Sequence, residues 1–475
     1  MIRPLPQEAA GELLELLSEL AAFSAPGPGV TRLLYTPEWC GAQHFLQERM
    51  AGLGLEARMD QVGNVYGRLA GSEPDGKVIL TGSHIDTVVN GGRYDGAYGV
   101  AAAITALHYL KAAFGQPLRT LEVVSFCEEE GSRFPLTFWG SGNVTGLYNG
   151  TEANGYADAE GITLAQAMAA CGLGDGSLAV PEAQPADMTG AVVVGAGDAA
   201  FAADAAISRR LAGEVPAAAA LASVDPAGGR RLTGSAVRDD IAAYVELHIE
   251  QGITLERSFR SIGVVQAIAG QRRYLVKVSG TANHAGTTPM GLRRDALAGC
   301  AELLLVLERS AIEEGDPLVA TVGRLEVYPG TPNVIPGEVQ FTLDIRHSDA
   351  ETLERFSAAL LAEYAALSGR RGLTLAVQPV LATLPAPMDQ ELCAALEDIC
   401  RQQGLPHRSM VSGAGHDAQL FAPRCPAAMI FVPSRAGISH SPEEYTSPED
   451  LTAGLEVLTA MLYRLAYTEN GAAAT

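Results

Sequence analysis

The fold is decided by the stretch Lys77-Val-Ile-Leu-Thr-Gly-Ser-His-Ile-Asp86 and by two segments that follow it. Its first five residues have the apolar character of a buried strand, which is predicted to end where Gly82 begins the polar part. Residues 100–114 have a good helical pattern, and residues 121–126 are a second buried strand. A strand, a helix and a strand in this order predict a parallel α/β sheet, with functional residues at the carboxyl ends of its strands.

The composition is that of a globular protein that does not favour polyanionic partners. At 475 residues the chain exceeds the usual size of one hydrophobic core, so we expect two domains. Hydrophobic residues make up 47% and charged residues 19%, which leaves ample material to bury. Because 33 Lys and Arg stand against 55 Asp and Glu, the net charge of −22 argues against binding to nucleic acid or to an anionic membrane.

Cysteine usage and the N-terminus predict a soluble, cytoplasmic protein. The cysteines are odd in number and scattered, with no Cys-x-x-Cys, at positions 40, 127, 171, 300, 393, 400 and 425. This pattern fits a reducing compartment better than a disulfide framework. The N-terminal residues have no apolar signal core, and no long uncharged apolar run suggests a membrane span.

The chain is predicted to form a large domain with a smaller one inserted into it. Residues 1–256 and 373–475 should build the large domain, because His440 must rejoin candidate ligands from the first half. Within it, residues 181–236 are an insertion rich in Ala, Gly and Pro. Residues 257–372 should form the smaller α+β domain, since strand-like runs return there with helices between and after them.

Five short segments carry the residues with the strongest chemical signal. They are Gly82-Ser-His-Ile-Asp86, Gly91-Gly-Arg-Tyr-Asp-Gly96, Glu128-Glu-Glu-Gly131, His248-Ile-Glu-Gln-Gly252 and Gly437-Ile-Ser-His-Ser441. Three imidazoles and two carboxylates make the five candidate ligands that two divalent metals sharing one carboxylate require. A spare glutamate beside one ligand can act as a base, so this inventory indicates metal-assisted hydrolysis.

Each of these residues also has an ordinary structural explanation. A histidine near a strand end is commonly a satisfied polar residue, an aspartate between glycines is commonly a turn residue, and three glutamates can be a solvated charge run. Asp86 follows His84 by two residues, so in an extended segment its carboxylate can orient the imidazole. The five segments together favour a metal site more strongly than any one of them.

A second cluster of polar segments is typical of a substrate site. These segments are Asn283-His-Ala-Gly-Thr-Thr-Pro-Met290, Thr331-Pro-Asn-Val-Ile-Pro-Gly337, Asp344-Ile-Arg-His347 and Ser412-Gly-Ala-Gly-His-Asp417. Arg346 can bind a carboxylate in a bidentate manner, and the alternative for it is a surface ion pair. A further segment, residues 191–200, contains a Gly-x-Gly-x-x-Ala pattern typical of dinucleotide binding. Its Ala- and Pro-rich surroundings disfavour that interpretation.

The motifs resemble the M20-type metallopeptidase superfamily, in particular its branch of allantoate amidohydrolases and N-carbamoyl-L-amino-acid hydrolases. The resemblance covers nearly the whole chain except residues 181–236, and it rests on seven motifs in order: GSHIDTVVNGG, EEEGSRFP, ELHIEQG, GQRRY, NHAGTTPM, SGAGHDAQ and GISHSPEE. It implies a catalytic α/β domain with a mixed, mostly parallel sheet flanked by helices. It also implies a smaller ferredoxin-like α+β lid that forms the contact of a homodimer.

The resemblance also implies a role for individual residues. Asp95 would bridge two metals, with His84 and His248 on one and Glu130 and His440 on the other. Glu129 would be the general base, Asp86 the carboxylate behind His84, and His284 the group that reaches the partner subunit's site and polarises the scissile carbonyl. The positions that match substrate-binding residues are Gln251, Asn333, Arg346 and His416, with Gln271 and Arg273 as weaker candidates.

The implied reaction is hydrolysis of a ureido C–N bond in a small carboxylate. Allantoate is the favoured substrate and an N-carbamoyl-L-amino acid, including a β-ureidopropionate-like one, is the alternative. The histidine at position 248, where many peptidase relatives carry a carboxylate, favours the ureido-cleaving branch over a peptidase. A non-catalytic binding protein on the same fold would be expected to lack a ligand or the base. The ligand types suit Zn²⁺, Mn²⁺ and Co²⁺ alike.

Overall fold

The computed structural model describes residues 5–73, 77–148, 155–173 and 237–469. The predicted insertion at 181–236 and the Gly-x-Gly-x-x-Ala segment at 191–200 lie outside these ranges. The chain divides into two compact units, of which the second contains residues 267–386 and the first contains the rest of the described residues. These bounds differ from the predicted 257 and 372, because strand Ile262–Ile268 belongs to the sheet of the first unit and strand Thr374–Thr383 to the sheet of the second.

The first unit is built on a mixed sheet of nine strands among the described residues. In chain order its strands are β1 (Glu56–Met59), β2 (Val65–Leu69), β3 (Val78–His84), β4 (Thr120–Phe126), β5 (Ile241–Ile249), β6 (Ile262–Ile268), β14 (Ala386–Pro387), β15 (His407–Ser412) and β16 (Ala427–Val432). Their spatial order is β1-β2-β4-β3-β5-β16-β6-β14, and β15 pairs with β6. The neighbours β4, β3, β5 and β16 are parallel, whereas β1–β2, β2–β4 and β16–β6 are antiparallel. The predicted mixed α/β sheet is confirmed, and its parallel part is the centre.

Helices flank this sheet. They are α1 (Gln7–Ala21), α2 (Pro37–Gly52), α3 (Ala97–Phe114), α4 (Trp139–Thr145), α5 (Leu164–Ala170), α6 (Thr254–Ser258), α9 (Gln390–Gln403), α10 (Ala418–Phe421) and α11 (Pro448–Tyr467). Helix α3 is buried along most of its length and packs on β3 and β5 and against α1 and α11. Small residues dominate its sequence, so the helix can approach the sheet closely. This packing fixes the N-terminus of α3 beside the carboxyl ends of the central strands.

The second unit is an antiparallel sheet covered by two helices. Its strands are β7 (Gly270–Ser279), β9 (Val319–Thr321), β10 (Leu325–Tyr328), β12 (Glu338–His347) and β13 (Thr374–Thr383), and its helices are α7 (Ala296–Glu314) and α8 (Ala350–Arg370). The sheet order is β10-β12-β7-β13, with β9 also paired to β12. This is the βαββαβ order of a ferredoxin-like fold, with the second strand split into β9 and β10, so the predicted α+β architecture is confirmed. A short ribbon of β8 (Asn283–His284) and β11 (Val334–Ile335) accompanies it.

The core of the second unit lies on one face of its sheet. Strand β12 alternates strictly between buried and partly exposed residues, and its buried apolar positions are Val339, Phe341, Leu343 and Ile345. These side chains pack with α7 and α8 in one apolar cluster. The intervening positions, together with their neighbours on β7, therefore lie on the opposite face of the sheet.

The structure contains a disulfide between described residues, although the cysteine pattern fits a reducing compartment better than a disulfide framework. Cys40 on α2 and Cys171, directly after α5, are bonded to each other. A separation of 131 residues hides this pairing from any spacing argument, because only the packing of α2 and α5 brings the two thiols together. Scattered cysteines therefore do not exclude a disulfide, and the compartment stays a prediction. Within the described part of the chain, no helix is long and apolar enough to cross a bilayer.

Candidate metal centre and substrate site

All five candidate ligands lie at the carboxyl end of the central strands of the first unit. His84 is the last residue of β3, and His248 is the last but one of β5. Glu130 follows the end of β4, His440 lies in the loop after β16, and Asp95 precedes α3. Parallel strands bring their carboxyl ends to one edge of a sheet, so residues up to 356 positions apart meet there.

The ligand atoms form two groups that share Asp95. In the first group, Nε2 of His84 and Nε2 of His248 lie 3.6 and 3.2 Å from Oδ1 of Asp95. In the second, Nε2 of His440 lies 3.2 Å from Oδ2 of Asp95 and 3.3 Å from Oε1 of Glu130. Within each group all ligand atoms lie within 4.8 Å of one another. Oδ1 of Asp95 therefore faces the first group of candidate ligands, and Oδ2 faces the second.

An unsatisfied buried oxygen indicates, independently of any motif, that these residues suit divalent cations. Oδ1 of Asp95 is buried and accepts no hydrogen bond from the described residues, although two imidazoles lie beside it. An unsatisfied buried carboxylate oxygen is costly unless a cation or a proton donor completes it. The combination of histidine nitrogens and carboxylate oxygens is the ligand set of Zn²⁺, Mn²⁺ and Co²⁺ sites.

The backbone fixes which nitrogen each histidine presents. Nδ1 of His248 lies 2.9 Å from the carbonyl oxygen of Ile249, and Nδ1 of His84 lies 3.1 Å from that of Asp86. When a proton on Nδ1 is donated to these carbonyls, Nε2 is the nitrogen that lies beside Asp95, and Nε2 of His248 also accepts a hydrogen bond from the backbone N–H of Gly96 at 3.1 Å. Both imidazoles are thus oriented for coordination through Nε2.

The cluster attracts positive charge. Burial disfavours the charged form of His84, but Asp86, Glu129 and Asp95 outweigh it and raise the pKa of His84 well above its ordinary value. Hydrogen bonds to Asp95 and Glu130 raise the pKa of His440 to about 11. Burial favours the neutral form of Asp95, yet the histidines hold its pKa well below the usual range. Metal ions that bind here must therefore displace protons.

Asp86 links His84 to the glutamate segment. Its carboxylate accepts hydrogen bonds from the backbone N–H of Glu129 at 3.1 Å and of Glu130 at 3.0 Å, and its Oδ1 lies 3.3 Å from Nδ1 of His84. Glu129 is partly buried, and desolvation, reinforced by the carboxylates of Glu130, Asp417 and Asp86, outweighs the effect of His84 and raises the pKa of Glu129 well above the ordinary value. The Asp86 carboxylate therefore positions two candidate ligands, His84 and Glu130, and the candidate base Glu129.

Gly96 allows the close approach of α3 to His84. Its φ of +62° is a left-handed conformation that side chains rarely adopt, and a Cβ there would lie 2.5 Å from the His84 imidazole. Two non-glycine residues of the site, Gln251 and His440, also have positive φ values of 57° and 54°. Strained backbone of this kind is common where a side chain must be aimed at a functional site.

Sequence reasoning missed Glu444 and Ser439. Oε1 of Glu444 accepts hydrogen bonds from the backbone N–H groups of Tyr94 at 2.9 Å and Asp95 at 3.2 Å. The Ser439 hydroxyl lies 2.8 Å from Oε2 of Glu444 and 2.9 Å from Oδ2 of Asp95. Glu444 thus joins the loop of Asp95 to the loop of His440. The motif GISHSPEE contained it, but a glutamate pair in a loop gives no sign that one member is buried.

The two substrate candidates of the first unit lie beside the metal ligands. Nε2 of Gln251 donates to Oδ2 of Asp95 at 2.8 Å. The His416 ring lies 4.7 Å from that of His248, and its Nε2 lies 3.0 Å from the Ser412 hydroxyl. Burial lowers the pKa of His416 well below the ordinary value, so this imidazole is neutral.

The other substrate candidates belong to the second unit. His284 lies exposed on β8, and Asn333, directly before β11, accepts a hydrogen bond from the backbone N–H of Ala285 at 2.9 Å. Gln271, Arg273 and Arg346 are close together, and all three donate hydrogen bonds to the carboxylate of Asp344. The ion pair that is the alternative for Arg346 is therefore present, with Asp344 as the partner. Arg273 and Gln271 bind the same carboxylate.

Comparison with known proteins agrees with this geometry. The family model described as Peptidase family M20/M25/M40 matches residues 80–464. An allantoate amidohydrolase of Bacillus subtilis is 44% identical over 96% of this chain and 97% of its own length. An N-carbamoyl-L-amino-acid amidohydrolase of Paenarthrobacter aurescens is 35% identical over 97% of this chain and 99% of its own length. The crystal structure of a hydantoinase/carbamoylase family amidase from Burkholderia multivorans superposes with a TM-score of 0.79 at 33% identity, covering 96% of this chain and 97% of that one. The predicted resemblance is confirmed, and the chain belongs to peptidase family M20/M25/M40.

Proposed function

We propose that this protein is a binuclear-metal amidohydrolase that hydrolyses a ureido C–N bond of allantoate, giving ureidoglycine, ammonia and carbon dioxide. The observation that carries the proposal is the pair of ligand groups sharing Asp95. The choice of allantoate is supported by the 44% identity to an allantoate amidohydrolase, against 35% to an N-carbamoyl-L-amino-acid amidohydrolase. Hydrolysis of N-carbamoyl-L-amino acids is the second candidate.

The proposed metal ligands follow the two groups. His84 and His248 would hold one divalent ion, Glu130 and His440 the other, and Asp95 would bridge them. Two cations at this place, when bound, would acidify water and polarise the ureido carbonyl. Zn²⁺, Mn²⁺ and Co²⁺ all suit these ligands.

The side chains around the ligands would carry the proton transfers. Glu129 would accept a proton from the attacking water and return it to the leaving nitrogen. Asp86, through its bonds to the N–H groups of Glu129 and Glu130, would keep the base and His84 in place. His284 would donate a hydrogen bond to the oxyanion that develops on the ureido carbonyl. The released carbamate then decomposes to ammonia and carbon dioxide.

Recognition of the substrate would involve the polar residues of both units. Arg346 would bind the substrate carboxylate, with Gln271 and Arg273 near it. Gln251, Asn333 and His416 would contact the ureido group. Because His416 is neutral and buried, it would contribute hydrogen bonds rather than charge.

We also propose a homodimer formed through the second unit. Leu305 and Ile312 on α7 are 64% and 74% exposed, and Val319 on β9 is 51% exposed. Strands β9 and β10 form an outer edge of the five-stranded sheet, so their outward backbone groups are available for pairing. A second copy related by a two-fold axis would cover an apolar helix face and a sheet edge at once. Size measurement in solution tests this proposal.

The experiment for the proposed function is ammonia release by the metal-reconstituted enzyme. Allantoate and N-carbamoyl-L-amino acids are supplied side by side at equal concentrations. We expect the larger kcat/KM with allantoate. A larger kcat/KM with carbamoyl amino acids would leave the proposed metal site unchanged and select the second candidate substrate. If the enzyme hydrolyses neither substrate, the proposed function is refuted.

A further inference from the structure

A quartet of polar side chains lies on the open face of the sheet in the second unit. It consists of Gln271 and Arg273 on β7 and Asp344 and Arg346 on β12. In the antiparallel register, Arg273 stands opposite Asp344 and Gln271 opposite Arg346. Because side chains alternate along a strand, all four point away from the face that α7 and α8 cover. The quartet is therefore a compact square of neighbours.

Asp344 is the centre of this quartet. Its Oδ2 accepts hydrogen bonds from Nε2 of Gln271 at 2.6 Å, from Nε of Arg273 at 2.7 Å and from Nη2 of Arg346 at 3.3 Å. Its Oδ1 accepts one from Nε of Arg346 at 2.9 Å. Two arginine side chains, which are long and flexible, thus place their guanidinium groups against one short carboxylate side chain.

The charges of the quartet leave it with one excess positive charge. Two arginines and one ionised aspartate sum to +1, since the arginines outweigh the effect of burial and lower the pKa of Asp344. The two guanidinium groups are the type of donor that binds a carboxylate in a bidentate manner.

We propose that Asp344 is a positioning residue that holds Arg346 and Arg273 in the orientation that binds the carboxylate of the substrate. The inference rests on the proposed function, because it requires a substrate with a carboxylate. It assigns no contact between Asp344 and the substrate itself. The aspartate acts through the two arginines, whose rotamers it selects.

The sign of the effect separates this role from simple electrostatics. If Asp344 acted only through its charge, its removal would strengthen the binding of an anionic substrate and lower KM. If it positions the arginines, its removal lets them rotate away, and KM rises although the site has become more positive. Coulomb attraction and positioning thus predict opposite changes.

The test uses Asp344→Asn in the full-length, metal-reconstituted enzyme, with steady-state kinetics on allantoate and N-carbamoyl-L-amino acids. We expect KM to rise about tenfold while kcat changes less than about twofold, since ordered charge-assisted hydrogen bonds are lost in binding and not in the chemical step. Asp344→Glu, which keeps the charge, should recover part of the loss. Glu338→Gln is the matched control: it removes one carboxylate from the same face of β12, where Glu338 pairs with Lys277 at 2.6 Å, and should leave KM unchanged.

A double variant tests whether Asp344 acts through Arg346. In an Arg346→Met background, adding Asp344→Asn should raise KM clearly less than tenfold, because Arg273 is then the one arginine of the quartet that it can still release and residues acting as one unit are not additive. Circular dichroism and thermal unfolding of each variant identify misfolding, and a misfolded Asp344→Asn is replaced by Asp344→Ser, for which the same rise in KM is expected.

The outcomes distinguish this inference from the proposed function. An unchanged or lower KM for Asp344→Asn in an enzyme that turns over ureido carboxylates would overturn the positioning role alone. A full tenfold effect of Asp344→Asn in the absence of Arg346 would do the same. A wild-type enzyme without activity on any ureido carboxylate would overturn the proposed function and, with it, this inference.

Discussion

At the scale of single residues, two buried carboxylates that are not candidate ligands hold the segments of the candidate metal centre in place. Asp86 binds the backbone of the glutamate segment and lies against His84, and Glu444 binds the backbone of the Asp95 loop. Neither needs to contact a substrate to affect the reaction. Residues of this kind matter because they fix the direction of groups that do.

The proposed role of Glu129 predicts a separation of metal binding from turnover. Glu129→Gln keeps the size of the side chain but cannot accept the proton of the attacking water. We expect full metal content and a kcat lower by at least ~10²-fold, as for the loss of a general base. Metal analysis and ammonia release measure the two quantities. The exposed Glu391→Gln serves as control, and near-normal kcat in Glu129→Gln would rule out the assignment.

For Glu444 we expect the opposite pattern, in which the substitution lowers metal affinity first. Glu444→Ala removes the acceptor for the N–H groups of Tyr94 and Asp95 and the partner of Ser439. We expect metal affinity to fall about 10- to 100-fold, the usual cost of losing a residue that orients a ligand. Competition with a coloured chelator measures this affinity directly. The neighbouring Glu443, which is exposed, gives the control Glu443→Gln, and equal affinities in the two variants would contradict the role of Glu444.

At the scale of elements, α3 connects the core to the site. Its buried surface packs on β3 and β5, and its N-terminus carries Asp95 and Gly96 to the end of β3. The distance between Asp95 and the two histidines is therefore set by how closely this helix packs on the sheet.

The two ends of α3 provide a matched pair of glycine substitutions. Gly96→Ala places a methyl group 2.5 Å from the His84 imidazole at a φ of +62°. Gly115→Ala, at the C-terminus, has a similar φ of +74° but nothing within 4 Å of the new methyl group. We expect both to lose about 1–2 kcal/mol of stability from the left-handed conformation. Gly96→Ala alone should lose metal affinity.

Thermal unfolding and metal titration of both variants check this expectation. Equal metal affinities in Gly96→Ala and Gly115→Ala would show that the approach of α3 to His84 does not control the ligands.

At the scale of the whole molecule, the candidate residues are divided between two units. The first unit holds the metal ligands, Glu129, Gln251 and His416, and the second holds His284, Asn333, Arg346 and the rest of the quartet. The proposed mechanism uses residues of both units, and in the proposed homodimer either subunit could supply those of the second unit.

Mixed dimers decide whether His284 acts in its own subunit or in the partner. We expect Glu129→Gln and His284→Ala to be strongly impaired as separate homodimers. If His284 of the partner subunit completes each site, a reassorted mixture contains heterodimers with one intact site. Such a mixture should then recover about a quarter of the wild-type activity, because half of randomly paired dimers are mixed. A mixture as inactive as its components would place His284 in its own subunit.

The sequence alone determined the elements and the chemistry of this protein. Apolar runs such as 77–81 and 121–126, and the helical pattern of 100–114, are local signals, and β3, β4 and α3 form where these signals occur. The motifs around His84, Asp95, Glu130, His248 and His440 likewise carry their chemistry in a few adjacent residues. The family and the α/β fold with an inserted α+β domain followed from these signals.

Tertiary structure decided the burial and pairing of residues that no motif marks. Glu444 lies 349 positions from Asp95, Cys171 lies 131 from Cys40, and the quartet around Asp344 joins two strands. Burial and pairing of such residues depend on sheet order and helix packing, which no local pattern records. The sequence therefore supplied the reactive groups, and the fold decided which groups hold them in position.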